Sequence, residues 1–347
     1  MGKCIVVTDF GLGRTKIGAY KKEGGKFVLY SGAIFDTPEG GFSEPETLQM
    51  FSASLDKMAV KSGDLLVSLP VDEKNIVCTE ADYPLGNAKE VANIVKNNLG
   101  GIVPDEAEQF TADWRLLESY SSGQGKFQIA AVNTSCMETL QEIAEKKHFV
   151  LKRADLSINA VENLAGLIRS DAKYGLNSTS DAAAIVDVGH KSAKIIVFTK
   201  ERCVRSETVS HNLYRLDKII NSTLGDLKND PGIIPETLKL NPSYTGKITQ
   251  YNGFLSSLTT DIIRVIKQSV SGEYRYQLSG IYFTGGLFKM PQLVSTVKDT
   301  FNVPCFAFPM DDFLQVNSNC ISHANKRVYP SPDVFAASLG MLIGGAK

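Results

Sequence analysis

The sequence has little that would tie it to nucleic acid, to a lipid bilayer or to an oxidising compartment. Lys and Arg number 37 and Asp and Glu 38, so the formal net charge of -1 offers no field for a polyanion. No run of about 18 apolar residues is present, so no transmembrane helix is expected. The six cysteines form no CxxC pair, which indicates free thiols in a reducing compartment.

The N-terminal apolar run is also short. Residues 5–7 are apolar, but Asp9 follows closely, so no signal peptide is expected. The chain has 347 residues, of which 43% are hydrophobic and 22% charged, as is typical of a globular protein with two or three domains. The composition therefore predicts a cytoplasmic, multidomain protein that neither binds nucleic acid nor inserts directly into a membrane.

An internal repeat is the most specific feature of the sequence. Residues 5–20 and 184–198 each contain an apolar strand, Asp-x-Gly, a short turn, a lysine seven residues after the aspartate, and a second apolar strand. Each unit is typical of a β-hairpin, with Asp9 and Asp187 as the two aspartates. Glycines in such turns let backbone N–H groups approach phosphate oxygens, and two facing aspartates can hold a hydrated Mg²⁺. The matched pair predicts a phosphate-binding cleft between two similar halves.

A third element follows in residues 279–291, where a strand is predicted to run into Thr284-Gly285-Gly286, with a helix continuing to about Phe301. A glycine pair there allows a flat base to lie on bare backbone. Two Asp-Gly hairpins followed by Thr-Gly-Gly resemble the actin-like ATPase superfamily, which includes actin, sugar kinases, heat-shock chaperones, and bacterial cell-division and pilus proteins. The resemblance covers the whole chain and implies an α/β fold of two RNase H-like halves. It also implies that the hairpins are phosphate loops and the Gly-Gly turn is the adenosine loop.

The resemblance implies ATP and Mg²⁺ as cofactors, with Asp9 and Asp187 as the metal ligands and Lys16 at the β-phosphate. Asn159 takes the position of the water-polarising residue of active relatives, although an amide can only orient a water and cannot act as a base. Leu12, His190 and Lys191 are larger or less polar than the residues usual in these loops, so we expect ATP binding with slow or no hydrolysis. The implied cofactor-binding positions are Asp9, Gly11, Leu12, Gly13, Arg14, Thr15, Lys16, Asp187, Gly189, His190, Lys191, Ser192, Gly285, Gly286, Leu287 and Lys289.

The segment between the hairpins indicates the branch of the superfamily. After a helix predicted to start at a capping box in residues 43–46, residues 75–155 show the order β-α-β-β-α-β of a split-βαβ domain. Such an insert resembles that of the cell-division protein FtsA and the type IV pilus assembly protein PilM. FtsA ends in a basic amphipathic helix, whereas only residues 344–347 follow the last helix predicted here, which favours PilM. The local sequence resembles PilM in residues 65–70, 83–85, 102–106, 112–117 and 129–133.

The predicted architecture is an actin-like ATPase fold with an FtsA/PilM-type inserted α+β domain. Its first actin-like subdomain (IA) combines residues 1–74 with 156–180, and the insert (IC) covers 75–155. The second actin-like subdomain (IIA) combines 181–225 with 278–347, and a smaller subdomain (IIB) covers 226–277.

The PilM resemblance implies a cytoplasmic scaffold of a type IV pilus or related secretion machine. The implied partners are a PilN-like inner-membrane protein, whose short cytoplasmic N-terminal peptide would bind beside the insert, and other machine components. The chain would then lie at the inner face of the cell membrane through that partner, and self-association is left open. Two alternatives are an FtsA-like polymerising cell-division or cytoskeletal ATPase and a sugar or acetate kinase, for which no acidic general-base motif stands out.

Overall fold

The structure is a computed structural model. It describes residues 4–72, 74–104, 106–170, 172–174, 176, 178–211, 245–271, 275–290, 292–317, 321–323, 326–328 and 331–344. Residues 212–225 of the predicted subdomain IIA, and 226–244 and 272–274 of IIB, lie outside these ranges, and the bounds of the four subdomains stay predictions.

The strands alternate with helices along the chain. The strands are β1 (Ile5–Phe10), β2 (Arg14–Glu23), β3 (Lys26–Asp36), β4 (Gly63–Leu69), β5 (Ile76–Pro84), β6 (Phe110–Ser119), β7 (Gln124–Asn133), β8 (Phe149–Leu156), β9 (Asp181–Val188), β10 (Ser192–Thr199), β11 (Cys203–Ser210), β12 (Gln277–Thr284), β13 (Cys305–Ala307), β14 (Leu314–Val316), β15 (Ile321–His323) and β16 (Lys326–Val328). The α-helices are α1 (Pro45–Lys57), α2 (Ala88–Asn98), α3 (Thr134–Lys146), α4 (Ser157–Arg169), α5 (Thr245–Val270), α6 (Leu293–Phe301), α7 (Met310–Phe313) and α8 (Ala336–Gly344). Short 3₁₀-helices cover Leu99–Gly101, Ala107–Gln109, Ala172–Tyr174 and Pro332–Phe335.

Two of the sheets share one topology. The first sheet has the order β16-β15-β3-β2-β1-β4-β8, and the second has the order β11-β10-β9-β12-β13. In both, a strand forms an antiparallel hairpin with the next strand, a third strand extends that meander, and parallel strands follow on the other side. The predicted α/β fold of two similar halves is therefore confirmed. Strand β14 also pairs with β3 but lies off this path of the first sheet.

The insert contains a sheet of its own, in the order β5-β7-β6. Val91 and Val95 of α2 pack on Phe127 and Ile129 of β7 in a small separate core. Trp114 joins that core, with its ring edge-on to Phe127 at a centroid distance of 5.5 Å. The predicted order β-α-β-β-α-β is present. Its last strand, β8, differs from the expectation because it pairs with β4 in the first large sheet instead of with the insert's own sheet.

The N-termini of helices α1 and α2 can be compared with the predicted capping motifs. Asn87 caps α2 as predicted, accepting hydrogen bonds from the N–H groups of Lys89 and Glu90 while Glu90 accepts from the N–H of Asn87. The capping box predicted in residues 43–46 is wrong. Helix α1 begins at Pro45, so Glu44 is the N-cap, and it makes no side-chain capping bond. Proline suits the first helical position because its ring presets φ and its missing N–H is not needed there.

Helix α4 lies between the two large sheets and connects their cores. Its apolar face shares one core with Ala183 and Ile185 of β9, whereas the alternate residues Ala184 and Val186 pack in a second core with α5. Successive strand residues point to opposite faces, so a strand buried on both faces must be apolar throughout. The buried apolar residues of α4 are Ile158, Ala160, Val161, Leu164, Ala165 and Ile168.

Helix α8 crosses α4 at backbone contact. A Cβ added to Gly340 would overlap the carbonyl group of Ala160, and its nearest approach to the Ala160 Cα would be 3.2 Å. Only glycine therefore fits at this crossing. None of the described helices has the length and apolar composition that a membrane crossing requires.

The described cysteines agree with the predicted free thiols. Cys320 falls outside the described residues. The five that the structure describes are all free: Cys4, Cys78, Cys136, Cys203 and Cys305.

Candidate functional site

Asp9 lies near the end of β1, between its register partners Lys16 of β2 and Ser68 of β4. The Lys16 ammonium donates to Asp9 Oδ2 at 2.7 Å, and the Ser68 hydroxyl donates to Asp9 Oδ1 at 3.0 Å. Asp9 is only 4% exposed. Both oxygens of this buried carboxylate are therefore engaged by side chains of the first sheet.

Asp187 lies at the equivalent place of the second sheet. Its register partners are Lys194 of β10 and Thr284 of β12. The Lys194 ammonium donates to Asp187 Oδ2 at 3.0 Å, and the side chains are 14% and 9% exposed. The Asp187–Lys194 pair thus repeats the Asp9–Lys16 pair at the same register of the hairpin. Sequence reasoning named Lys191 here and missed Lys194, although the repeated seven-residue spacing was the signal for it.

The two pairs influence each other electrostatically. Burial alone would raise the pKa of Asp9, but Lys16 and then Lys194 outweigh it and hold the pKa below its usual range. Burial likewise opposes the charge of Lys194, but Asp187 and then Asp9 raise its pKa above the ordinary value. Lys194 therefore acts on both carboxylates and stays protonated.

The two hairpin loops touch and are closed in the same way. The imidazole of His190 lies against Gly13, where an added Cβ would come within 2.6 Å of the His190 Cβ. In the first loop the Thr37 N–H donates to the Gly13 carbonyl at 3.1 Å, and in the second the His211 N–H donates to the Lys191 carbonyl at 2.9 Å. The structure therefore brings the two predicted phosphate loops together at one point.

The single hydroxyl of the first loop is turned inward. Thr15 is fully buried, and its hydroxyl lies 3.0 Å from that of Thr37. The Thr37 hydroxyl in turn donates to the Gly11 carbonyl at 2.7 Å. Thr15 thus supports the loop from below, whereas Leu12 at its tip is half-buried.

Other loop groups are bound locally. The Gly11 N–H donates to the Asp9 carbonyl at 3.1 Å, and the Gly189 N–H donates to the Ser192 carbonyl at 2.9 Å. Arg14 pairs with Asp36 at 3.3 Å beside the first loop. These contacts hold both loops in shape, and their predicted roles toward a nucleotide stay predictions.

The Gly-Gly turn lies directly on the second hairpin. Gly285 has φ of 93°, a region that favours glycine. A Cβ there would come within 2.5 Å of the Val188 carbonyl oxygen and 2.6 Å of Asp187 Oδ1. The Leu287 N–H donates to the same Val188 carbonyl at 3.0 Å. The turn thus approaches the Asp187 carboxylate as only glycine allows, while Gly286 has room for a side chain beside Val334.

Lys289 is held at the side of this turn. Its ammonium lies 3.3 Å from the Ser331 hydroxyl and 3.6 Å from Asp333 Oδ2. The carbonyl of Asp333 accepts from the Gly285 N–H at 3.2 Å. Sequence reasoning missed Asp333, since residues 331–333 follow Lys289 by more than forty positions and no local pattern connects them.

Asn159 lies on the same edge of the first sheet as Asp9. Ser68, the neighbour of Asp9, is in register with Asp155 of β8, and the Asn159 amide donates to Asp155 Oδ1 at 2.9 Å. The amide oxygen of Asn159 is buried and has no hydrogen-bond partner among the described residues. The carboxyl ends of parallel strands are where ligands bind in open α/β sheets, so this polar row belongs to the candidate site.

The carboxylates do not fit a divalent cation as they are arranged. Mg²⁺ needs carboxylate oxygens or their bound waters on its shell. Here the Asp9 oxygens are bound by Lys16 and Ser68, and one Asp187 oxygen by Lys194. Among the residues described, no cluster of three or more His, Cys, Asp or Glu side chains could hold a metal. The metal role of the two aspartates stays a prediction, and carboxylates already paired with lysines do not fit it.

Two sheets of one topology, with facing hairpins and a Gly-Gly turn beside them, define the actin-like ATPase fold. A solved PilM-PilN type IV pilus biogenesis complex contains a chain of this fold, with a TM-score of 0.70, 16% identity, and coverage of 99% of this chain and 98% of that one. The prediction of a PilM-like actin fold is thus confirmed.

Two further solved structures are more distant. The cytoplasmic domain of EpsL, an inner-membrane component of the type II secretion system of Vibrio cholerae, has a TM-score of 0.43 at 9% identity, covering 99% of this chain and 95% of that one. A Bacteroides thetaiotaomicron protein with an actin-like ATPase fold and unknown function has a TM-score of 0.45 at 9% identity, covering 88% and 91%. At these scores neither adds anything on function. No family model and no curated protein matches the sequence.

Proposed function

We propose that this chain is a cytoplasmic scaffold of a type IV pilus assembly machine that binds the N-terminal cytoplasmic peptide of a PilN-like inner-membrane protein. The observation that carries the proposal is the fold likeness to the chain in a PilM-PilN complex, which extends over 99% of this chain. The likeness includes the insert, whose local sequence also resembles that of PilM. In this proposal the chain reaches the membrane through its partner.

An open apolar groove on the insert supports capture of a peptide. The groove has a volume of about 400 Å³ and is lined by Pro84, Leu85, Gly86, Glu90, Asn93 and Ile94. Leu85 is 40% exposed, and Leu116 beside it is 46% exposed. Both leucines would contact a Cβ placed on Gly125, so they form one patch on the insert. Short peptides bind such apolar surfaces through a few side-chain anchors.

The insert is connected to both halves of the molecule. Arg115 of β6 donates to both carboxylate oxygens of Glu162 on α4, at 3.0 and 2.7 Å, and the Ser206 hydroxyl of β11 donates to Glu162 Oε2 at 2.6 Å. Glu118 of β6 also accepts from Arg202 at 2.6 Å. A change in the angle between the halves would have to rearrange these charge-assisted bonds, which offers a path from the cleft to the insert.

Proteins with this fold generally bind a nucleotide, and we propose that the cleft between the two hairpins does so here. The lysines that face it are phosphate-binding groups by charge, and Gly286 of the Gly-Gly turn offers exposed backbone to a base. Each cleft aspartate is already paired with a lysine, so neither is placed as the base that hydrolysis or a kinase reaction needs. Binding with slow or no hydrolysis is the expected behaviour.

The test is a fluorescence-anisotropy titration of the full chain with a labelled synthetic peptide. The peptide is the N-terminal cytoplasmic segment of the PilN-like protein from the same organism. We expect binding that Leu85→Asp and Leu116→Asp each weaken by about tenfold, since burying a charge in an apolar groove is costly. Val150→Asp is the matched control, because Val150 is 53% exposed on β8, outside the insert's sheet. Absence of binding by the unmodified chain would refute the partner, and equal loss in all three variants would refute the groove.

A further inference from the structure

We propose that the ammonium group of Lys194 takes the place of a divalent cation between Asp9 and Asp187, so that this cleft holds no divalent metal. The inference concerns the chain's own residues. Its extension to nucleotides rests on the proposed nucleotide binding in the same cleft.

The first support is the position of Lys194 in the hairpin. Lys194 and Asp187 are direct cross-strand partners, so the backbone register places the ammonium beside the carboxylate, at 3.0 Å from Oδ2. Only 14% of the lysine side chain and 9% of the aspartate side chain are exposed. A buried ion pair of this kind is not readily displaced, because either partner left alone would be a buried, uncompensated charge.

The second support is the charge balance of the cleft. Two carboxylates, Asp9 and Asp187, face two ammonium groups, Lys16 and Lys194, so the four charges cancel. A divalent cation added between these two carboxylates would leave this group of four with two excess positive charges next to two lysines. The two ammonium groups therefore disfavour a divalent cation at this position.

The third support distinguishes Lys194 from Lys16. Lys16 binds Asp9, whose other oxygen is held by Ser68 within the same sheet. Lys194 binds the carboxylate of the second half, in the hairpin whose His190 packs against Gly13 of the first loop. Lys194 is thus the group that occupies the cation position between the halves, whereas Lys16 belongs to the first loop alone.

The consequence for a nucleotide is direct. A phosphate entering this cleft would meet lysine ammonium groups, which bind phosphate as point charges without a metal. Affinity for ATP would then be no weaker with EDTA than with Mg²⁺.

The primary test measures Mn²⁺ binding to the full chain by electron paramagnetic resonance, without nucleotide. The unmodified chain should leave the free-Mn²⁺ signal unchanged. Lys194→Met should bind one Mn²⁺ per chain, with an affinity at least about tenfold higher than that of the unmodified chain. Lys194→Arg keeps the charge and should not gain the metal. Lys16→Met is the matched control: it also removes one lysine, but it leaves the Lys194 ammonium in place and should gain no Mn²⁺.

Stability measurements keep the test decisive if Lys194→Met folds poorly. Mn²⁺ should raise the Tm of Lys194→Met, or of the smaller change Lys194→Gln, and should leave that of the unmodified chain unchanged. One Mn²⁺ bound per unmodified chain and lost in Asp187→Asn would overturn the proposal. So would absence of Mn²⁺ binding in every Lys194 variant, because the carboxylates would then not share a cation.

A nucleotide arm separates the two proposals. Calorimetric titration of ATP into the unmodified chain should give a Kd in EDTA that is no weaker than the Kd with Mg²⁺, and loss of affinity in EDTA would contradict the inference. If ATP fails to bind under both conditions, the nucleotide part of the proposed function fails. The Mn²⁺ measurement still decides the role of Lys194 in that case.

Discussion

The first and second halves of this molecule build the same hairpin and then complete it with different residues. In both halves the residue after the third strand of the meander closes the loop, through Thr37 to Gly13 and through His211 to Lys191. Thr37 adds a side-chain hydroxyl bond to its loop, whereas His211 places a largely buried ring there, edge-on to Phe254 at 5.3 Å. The backbone frame is therefore common to the halves, and the chemistry at each position is set separately.

The aspartates show the same division. Asp9 has a polar neighbour on the adjoining parallel strand, Ser68, and the row continues to Asp155. Asp187 has instead the close backbone of Gly285 at that side. One half holds its carboxylate with side chains and the other covers it with a turn, which leaves Lys194 as the main partner of Asp187.

The largest effect on stability should come from adding a methyl group to a helix glycine, because the space around such a glycine differs between two of the helices. Gly340→Ala should lower the free energy of unfolding by about 3 kcal/mol or more, because its Cβ would overlap the Ala160 carbonyl, a backbone group that cannot move aside. Gly253→Ala on α5 of the second half should stabilise by about 0.5–1 kcal/mol, because nothing lies within 4 Å of the added Cβ. Urea unfolding measures both, and effects of the same sign would contradict this difference.

The two lysines should also differ in their contribution to stability. Lys194→Met leaves Asp187 buried and unpaired, so we expect a loss of about 3 kcal/mol, whereas Lys16→Met should cost about 1–2 kcal/mol because Ser68 still binds Asp9. The free energies of unfolding come from urea titrations at neutral pH. A larger loss of stability for Lys16→Met than for Lys194→Met would contradict this prediction, because Asp9 would then depend on its lysine more than Asp187 does.

A smaller effect should appear in the pH dependence of stability. Burial, and then the nearby His190, lowers the pKa of His211 from its ordinary value of 6.5 to about 4. As the pH falls below about 6.5, the unfolded chain takes up this proton before the folded chain does, so stability should fall by about 2 kcal/mol by pH 5. His211 causes no loss of stability above neutral pH, because it is then uncharged in both the folded and the unfolded chain.

His211→Thr, which copies the residue of the first half, is the control for that pH dependence. Its stability should fall less steeply between pH 6.5 and 4 than that of the unmodified chain, as measured by thermal unfolding across the range. Parallel curves for the two proteins would mean that His211 does not titrate differently on folding.

The hairpins could be predicted from the sequence because their contacts are local. An aspartate and a lysine seven residues apart, on two strands joined by a short turn, become cross-strand neighbours in both halves, as Asp9 and Lys16 do. The same spacing identifies Lys194, whereas the position of Lys191 in the turn predicted that residue as the phosphate-binding lysine instead. The start of α1 was misjudged because Ser43 and Glu46 fit a capping box, while Pro45 sets the helix start one residue later.

The rest of the site depends on contacts that no local pattern encodes. Ser68 reaches Asp9, and Asp155 reaches Ser68, through parallel pairing, whose partners are joined by long crossovers. Asp333 reaches Lys289 in the same indirect way. The pairing of β8 has this cause too, because its partner β4 lies more than eighty residues earlier in the sequence and no local pattern connects them.

The pairing of β14 and β15 with β3, and the packing of α8 on α4, have a consequence for synthesis of the chain. The first half emerges from the ribosome early, yet its sheet and helix layer are completed only by residues 314–344. At about 5–20 residues per second, the face of α4 that α8 covers waits roughly ten seconds or more for its partner. During that interval the nascent first half is an incomplete domain with an apolar surface, and it is the stage at which a chaperone would matter most to this protein.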